Sequence, residues 1–283
     1  MIDIKLLEQL CLCNGISGDE GNVRNLIINE IKDCADDIKT DNLGNLIVFK
    51  KGKKSAKSKL MVSAHMDEVG LMVTDITSDG YLKFDEVGGI DRRVLPGKRV
   101  CVGRNGLNGV IGVKPIHLTN GDEKTAVPKM NDMYIDIGAE SREDALKYVN
   151  YGDGINFEGD FKINGKTVVT KALDDRFGCY VLTNLIKSEP EYDMYFTFVV
   201  QEEGGLRGAR PAAFTVNPDF ALVIESTTAA DVAEVDASHQ VCNLSKGATV
   251  TVMDRATVYD NGMIRAAFEL AEKKNIAVQY KRA

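Results

Sequence analysis

Apolar and polar residues follow two different patterns along this chain, and the pattern changes near residues 69 and 166. Before and after this stretch, helical patterns alternate with short apolar runs. In EGNVRNLIINEIKDCA, for example, the apolar residues Val23, Ile27 and Ile31 recur at helical spacing. Between residues 69 and 166, short strand-like runs are interrupted by glycine and asparagine. The pattern therefore predicts two structural regions.

The outer parts of the chain are typical of an α/β fold. Apolar runs that predict strands are GNLIVFKK, KLMVSAH, MYFTFVVQ, FALVIES and ATVTVMD. Segments that predict helices are MIDIKLLEQLCLCNGISGDEG, EGNVRNLIINEIKDCA, DDRFGCYVLTNLIK, GGLRGARPAAF and NGMIRAAFELAEKKN. Their alternation predicts a mostly parallel sheet with helices on both faces.

The middle part predicts a small all-β barrel or sandwich. Its runs are GLMVTDI, GYLKFDEVGG, KRVCVG, NGVIGV, MYIDIGA and GINFEGDFKING. The segment SREDALKYV interrupts them as one short helix with Ser141 as its N-cap. We expect residues 1–68 and 167–283 to form one discontinuous α/β domain, with an all-β domain inserted at residues 69–166.

Composition narrows the class of protein. The chain has 283 residues, a formal net charge of -7, 44% hydrophobic and 27% charged residues, which is typical of a folded soluble protein. It contains no run of 18 apolar residues, and its N-terminus lacks a signal peptide pattern, so we expect a cytoplasmic protein without a membrane partner. No basic stripe offsets the acidic balance, which argues against a nucleic-acid partner. Six scattered cysteines without CxxC spacing predict free thiols.

Four polar clusters follow apolar strands or begin a helix, where an α/β sheet places its ligand site. They are His65-Met66-Asp67 after KLMVSA, Glu202-Glu203 after MYFTFVVQ, Glu225 after FALVI, and Asp174-Asp175 at the start of a helix. Each cluster has an ordinary interpretation as well. His65 and Asp67 also fit a buried histidine that a neighbouring acid satisfies. Asp174 and Asp175 also fit helix capping, with Arg176 as an ion-pair partner for Asp175.

The adjacent glutamates argue for a cation. Glu202 and Glu203 follow a largely apolar strand, and buried carboxylates without a cation shift toward the neutral form. A dinuclear metal site resolves this difficulty, because one glutamate binds a metal while the other stays free as a general base. His65 then binds a metal through one ring nitrogen, and Asp67 accepts a hydrogen bond from the other.

The segments SAHMDEVG, ALDDRFG, VVQEEGGLRGA and IESTTAAD together resemble the motifs of metallopeptidase family 42. This family includes glutamyl, deblocking and tetrahedral aminopeptidases, and some members carry the label endoglucanase. The resemblance extends over the whole chain, including NGVIGVKPIHL in the middle part and VMDRATVY near the end.

The resemblance implies a mechanism, a metal content and a role for each site residue. The implied enzyme removes N-terminal residues from peptides with two divalent ions per subunit, zinc or cobalt, and a metal-bound hydroxide attacks the first peptide carbonyl. The resemblance implies that His65 binds the first metal and that Asp67 orients His65. It implies that Asp174 bridges both metals and that Glu203 binds the second. Glu202 would be the general base, and Glu225 would complete the coordination of the first metal, where many relatives have Asp. The inserted β domain is expected to mediate dimerisation, with dimers built into a dodecamer or another hollow shell.

One departure from the family pattern leaves alternatives open. The family supplies a last histidine to the second metal from a downstream segment, but this chain ends at Ala283, and its histidines are His65, His117 and His239. We therefore consider a C-terminally incomplete aminopeptidase and, as the alternative, a non-catalytic scaffold or assembly protein. A glycoside hydrolase fits less well, because its two carboxyls lie about 5–9.5 Å apart across the sugar bond and these glutamates are adjacent.

Overall fold

The computed structural model describes residues 3–121 and 126–282, which form two compact units. The first unit spans Met1–Ser226 and the second spans Thr227–Ala283. Two residues of the expected first helix, Met1 and Ile2, lie outside the described residues. Within the described ranges, none of the helices has the length and apolar character that crossing a membrane requires. All six cysteines are free thiols, as predicted.

The helices and strands follow one another in the order that an α/β chain with a β insertion predicts. The α-helices of the described residues are α1 (Ile4–Leu12), α2 (Gly21–Ile31), α3 (Arg142–Ala145), α4 (Leu173–Lys187), α5 (Ala209–Val216) and α6 (Asn261–Lys274). The strands are β1 (Asp37–Thr40), β2 (Leu46–Lys50), β3 (Leu60–His65), β4 (Gly70–Ile76), β5 (Leu82–Val87), β6 (Arg99–Val102), β7 (Leu107–Val113), β8 (Met133–Asp136), β9 (Gly154–Phe157), β10 (Lys162–Asn164), β11 (Thr167–Val169), β12 (Met194–Val199), β13 (Phe220–Val223), β14 (Ala248–Val250) and β15 (Val278–Tyr280).

A five-stranded sheet in the order β1-β2-β12-β3-β13 forms the centre of the first unit. The strands β12, β3 and β13 are parallel, whereas β1 pairs with β2 and β2 with β12 in the antiparallel direction. Four of the five strands therefore run in the same direction and β2 is reversed, which agrees with the mostly parallel sheet that we expected. A short connection joins β1 to β2, and a connection of that length permits only antiparallel pairing.

Helices cover both faces of this sheet, as the α/β pattern predicts. On one face, Val62 and Phe196 belong to the large apolar core that also contains buried side chains of α1, α2 and α4. On the other face, Met61 packs in a smaller cluster with Val216 of α5. Neighbouring residues of a strand point to opposite faces, so β3 contributes to both cores.

The inserted segment forms a closed barrel in the order β4-β5-β8-β7-β6-β9. This settles the choice between barrel and sandwich that the sequence left open. Its interior consists of buried apolar side chains, among them Leu71, Val73, Leu82, Val100, Ile111, Ile135 and Ile155. The Ser141 hydroxyl accepts a hydrogen bond from the Asp144 N–H and caps α3, as predicted. A separate hairpin, β10 with β11, follows the barrel.

The second unit contains α6 and a two-stranded parallel sheet of β14 and β15. The sequence predicts a strand over ATVTVMD, but β14 covers only its first three residues, Ala248–Val250. The C-terminal strand β15 was not predicted, because a three-residue strand is too short to show a period of two. The Tyr280 ring of β15 stacks on Phe268 of α6, with ring centroids 4.2 Å apart.

Arg176 of α4 is fully buried and connects the N-terminal segment to the sheet. Its guanidinium donates to the backbone carbonyls of Leu10, Cys13, Gly15 and Met66. It also forms an ion pair with Glu68 at 3.4 Å, and Lys171 lies 2.8 Å from the same carboxylate oxygen. Arginine suits this position because its planar group presents five donors in a fixed fork.

We predict that Arg176→Lys lowers the free energy of unfolding by about 3 kcal/mol or more, because lysine cannot reach all of these buried carbonyls and each lost partner leaves a desolvated acceptor. Chemical denaturation monitored by circular dichroism measures the change. Arg210→Lys, on the exposed surface of α5, is the matched control and should stay within about 0.5 kcal/mol of the parent. Equal stability of the two variants would contradict the prediction.

Candidate metal centre

Three parallel strands end side by side, and each leads to a side chain that can bind a metal. The central strand, β3, ends at His65, which pairs in register with Val199 at the end of β12. Strand β13 ends at Val223, two residues before Glu225. Ligands bind beyond the carboxyl ends of such strands. The sheet therefore places His65 between Glu225 on one side and the segment 202–203 on the other.

The first set of donor atoms consists of His65, Asp174 and Glu225. His65 Nε2 lies 3.3 Å from Asp174 Oδ1 and 3.3 Å from Glu225 Oε1. The three donor atoms lie within 4.8 Å of one another. Ligand atoms of a tetrahedral zinc, each about 2.0–2.1 Å from the ion, are roughly 3.3 Å apart. One imidazole and two carboxylates at these separations fit a divalent cation.

The second set consists of His65, Glu202 and Glu203, whose donor atoms also lie within 4.8 Å of one another. Glu202 Oε2 is 3.9 Å from His65 Nε2. Asp174 and Glu203 line one cavity of about 230 Å³, although neither set among the described residues contains both of them. The structure thus gathers the other four predicted ligand and base side chains around His65, and the division of ligands between two ions stays a prediction.

The other ring nitrogen of His65 faces Asp67. His65 Nδ1 lies 3.1 Å from the Asp67 carbonyl oxygen and 3.4 Å from Asp67 Oδ1. Both side chains are buried. A proton on Nδ1 that is held by these acceptors leaves Nε2 free as a ligand, which is the usual arrangement of a metal-binding histidine.

The close packing of carboxyl groups in this site shifts their pKa values. Burial raises the pKa of Glu203 to about 7, and the charges of Asp174 and Glu202 add to the effect while that of His65 opposes it. Burial and the charge of Glu225 raise the pKa of Asp175 to about 9. A cation among these carboxylates would favour their ionised forms.

The turn that carries Glu202 and Glu203 is held by side chains. Each of the four consecutive N–H groups of the segment 200–203 donates to a side-chain oxygen. In chain order the acceptors are Asn45 Oδ1, Glu20 Oε1, Asp67 Oδ1 and Asp67 Oδ2, at 3.0, 3.1, 3.0 and 3.0 Å. Buried backbone donors need partners, and here three separate segments of the chain supply them.

Sequence reasoning did not identify Ser17, Glu20 and Asn45 as part of the site. The one available signal, Ser17-Gly-Asp-Glu20 before a helix, matches a capping box. The structure uses both side chains otherwise. The Ser17 hydroxyl donates to Asp67 Oδ2 at 2.5 Å, and Glu20 makes no side-chain capping bond to α2.

The two aspartates at the start of α4 have different surroundings. Asp175 has non-helical angles, and its Oδ1 accepts from the Gly178 N–H at 3.0 Å, which is how an N-cap residue binds. Its other oxygen accepts from the His65 N–H at 3.3 Å. The predicted ion pair of Asp175 with Arg176 is not formed, because Arg176 points to Glu68 and the N-terminal carbonyls. Asp174 faces His65.

Known proteins are similar to this chain in sequence and in fold. Lysyl aminopeptidase of Pyrococcus furiosus is 33% identical over 290 residues, which cover 99% of this chain and 81% of that protein. The structure of aminopeptidase APDkam598 from Desulfurococcus kamchatkensis superposes with a TM-score of 0.92 at 33% identity, over 99% of this chain and 79% of that one. The Pyrococcus horikoshii TET1 peptidase, which can assemble into a tetrahedron or a large octahedral shell, gives 0.86 at 40% identity, over 98% and 83%.

The fold, the acidic site around a histidine and these relatives define the chain as a peptide-bond hydrolase of the aminopeptidase class. Residues 44–283 match the M42 glutamyl aminopeptidase family, and the chain belongs to that family. The resemblance in the strand-end motifs is thereby confirmed over most of the chain.

We predict that Gly208→Ala disturbs the turn after Glu203, whereas Gly204→Ala in the same turn is tolerated. A β-carbon at Gly208 would lie 2.4 Å from both Asn45 Oδ1 and the Val200 carbonyl oxygen, but at Gly204 its nearest neighbour would be 3.8 Å away. We expect Gly208→Ala to lower stability by about 1–3 kcal/mol. Thermal denaturation of both variants checks this, and equal melting temperatures would show that the turn has room to adjust.

Proposed function

We propose that the chain is a metal-dependent aminopeptidase that removes N-terminal residues from peptides with two divalent ions. The observation that carries this proposal is the convergence of His65, Asp174 and Glu225 with two further glutamates at the ends of parallel strands. Membership of an aminopeptidase family supports the peptide substrate and implies the metal dependence.

The proposed ligands are His65, Asp174 and Glu225 for one ion, and Asp174 with Glu203 for the other. Carboxylate and imidazole donors suit zinc and cobalt. Such ions lower the pKa of a water and polarise a peptide carbonyl. The shared cavity of Asp174 and Glu203 supports the bridging role of Asp174.

Glu202 is the proposed general base, and Asp67 the residue that orients His65. Glu202 Oε2 is close enough to His65 Nε2, at 3.9 Å, to reach a water at the same centre. It would take the proton of that water and deliver it to the leaving amine. Its backbone N–H is fixed by Asp67, so its side chain starts from a defined position.

Self-association through the β domain at residues 69–166 belongs to the same proposal. Shell assembly by the related TET1 peptidase supports it. The barrel region also exposes apolar side chains, at Val94, Val110, Ile116 and Leu118, which an interface would cover. Dimers built into a dodecamer are the proposed state. Six free thiols fit the proposed location in the reducing cytoplasm.

Hydrolysis of a panel of aminoacyl-p-nitroanilides tests the function directly. The protein is stripped with a chelator and reloaded with zinc or cobalt. Release of p-nitroaniline that depends on the added ion supports the aminopeptidase, and the panel reveals the preferred residue. A folded protein that binds metal but hydrolyses none of the panel or a set of unlabelled peptides would favour the alternative of a non-catalytic scaffold.

We predict that Glu202→Gln lowers kcat by about 10²–10⁴-fold and leaves the metal content unchanged, because the variant removes a base but no ligand. Glu203→Gln is the matched control, since the same change one residue later should remove one of the two ions. The metal content of both variants is measured together with their turnover. A Glu202→Gln variant within a few-fold of the parent in kcat would exclude this base.

We predict that Asp174→Ala loses both ions together, because a bridging carboxylate contributes to each. Glu225→Gln should weaken only one ion. Metal analysis after dialysis against a defined concentration of free zinc gives the stoichiometry. Retention of one ion by Asp174→Ala would argue against the bridging role.

A further inference from the structure

The loop between α1 and α2, residues 15–20, lies against both segments that carry site residues. On one side it pairs with the segment that follows β3, where the Ser17 N–H donates to the Glu68 carbonyl and the Glu68 N–H to the Gly15 carbonyl. On the other side Glu20 accepts from the Gln201 N–H. The loop is therefore attached to two separate parts of the site by backbone and side-chain bonds.

Within this loop the Ser17 hydroxyl points at the Asp67 carboxylate. Asp67 Oδ2 accepts from Ser17 Oγ and from the Glu203 N–H, while Oδ1 accepts from the Glu202 N–H and faces His65 Nδ1. Ser17 thus donates to this carboxylate from a segment that carries none of the proposed ligands. The other donors, the Glu202 and Glu203 N–H groups and the His65 ring, belong to residues that the site itself must position.

We infer that Ser17 is a positioning residue, whose hydroxyl fixes the rotation of the Asp67 carboxylate and thereby the Glu202–Glu203 backbone and the His65 ring. Without the hydroxyl, Oδ2 keeps one donor and the carboxylate can turn about its Cβ–Cγ bond. Such a rotation would move, at the same time, the oxygens that accept from the Glu202 and Glu203 N–H groups and the oxygen that faces the His65 ring. The inference rests on the proposed function in one respect, namely that the site binds divalent ions.

The test compares Ser17→Ala with Ser17→Thr, which keeps a hydroxyl, and with Thr197→Val as the matched control. The Thr197 hydroxyl is buried on β12, the strand that leads to Glu202, and has no hydrogen-bond partner. Removing it deletes a buried hydroxyl near the site without touching Asp67. If Ser17→Ala does not fold, Ser17→Cys, which is close to serine in size and a weaker donor, takes its place.

Three readouts separate positioning from general stability. Hydrogen exchange of the protein without added metal reports on the peptide spanning residues 199–207. Competition titration with cobalt gives affinity, and the visible cobalt spectrum reports the ligand geometry. Steady-state kinetics on the best p-nitroanilide separates kcat from KM.

For Ser17→Ala we expect faster exchange confined to residues 199–207, a cobalt affinity about 10–100-fold weaker with a changed spectrum, and a lower kcat at nearly constant KM. Ser17→Thr should restore most of the affinity, and Thr197→Val should match the parent. Parental affinity and exchange in Ser17→Ala, or an equal loss in Thr197→Val, would overturn the inference. Absence of peptide hydrolysis by the parent would refute the proposed function alone, since exchange and cobalt affinity still decide the role of Ser17.

Discussion

The Asp67 carboxylate is wholly buried, and its oxygens accept hydrogen bonds from Ser17 and from the backbone N–H groups of Glu202 and Glu203. A buried charge is strongly unfavourable unless it is paired and hydrogen-bonded. Burial alone would raise the pKa of Asp67, but hydrogen bonds from His65, Ser17 and Glu202 outweigh it and lower the pKa. These donors belong to three segments that are distant in sequence. Asp67 can stay ionised inside the protein only when the three segments have their native arrangement, and so the site forms together with the fold.

Among the described residues, the carboxylates of Glu202, Glu203 and Glu225 have fewer hydrogen-bond donors than that of Asp67. Burial raises the pKa of Glu202, Glu203 and Glu225, whereas Asp174 and Asp67 are kept acidic by His65. One imidazole cannot neutralise this number of carboxylates. A divalent cation would supply the missing positive charge, and the donor atoms already lie at separations that suit one. The pKa of Asp67 and those of the three glutamates are thus shifted in opposite directions within one cluster.

The sequence predicted the parts of the site that depend on local pattern. His65, Glu202 and Glu225 each follow an apolar run, and the rule that parallel strands present their carboxyl ends together was sufficient to bring them into one place. Ser17, Glu20 and Asn45 were missed because their partners are 50, 181 and 155 residues away, and no periodicity records such pairings. The reversed direction of β2 was not predicted for a related reason, since strand direction is decided by connections and not by apolar runs. The length of the strand in ATVTVMD was overestimated. Its β-branched residues favour a strand, but among the described residues β14 pairs with β15 alone, over three residues.

Three residues that lie within three positions of the proposed ligands Asp174 and Glu203 adopt left-handed backbone angles that non-glycine residues rarely take. They are Ala172 with φ 53°, Gln201 with φ 52° and Leu206 with φ 59°. Each such conformation costs on the order of 1 kcal/mol and persists only where surrounding contacts determine it. Around Gln201 those contacts are the Glu20 carboxylate and the Arg207 N–H, which donates to the Gln201 carbonyl. The hydrogen bonds of the fold therefore fix the backbone of the segment that carries Glu202 and Glu203, and such preorganisation would favour tight and geometrically selective binding of a cation.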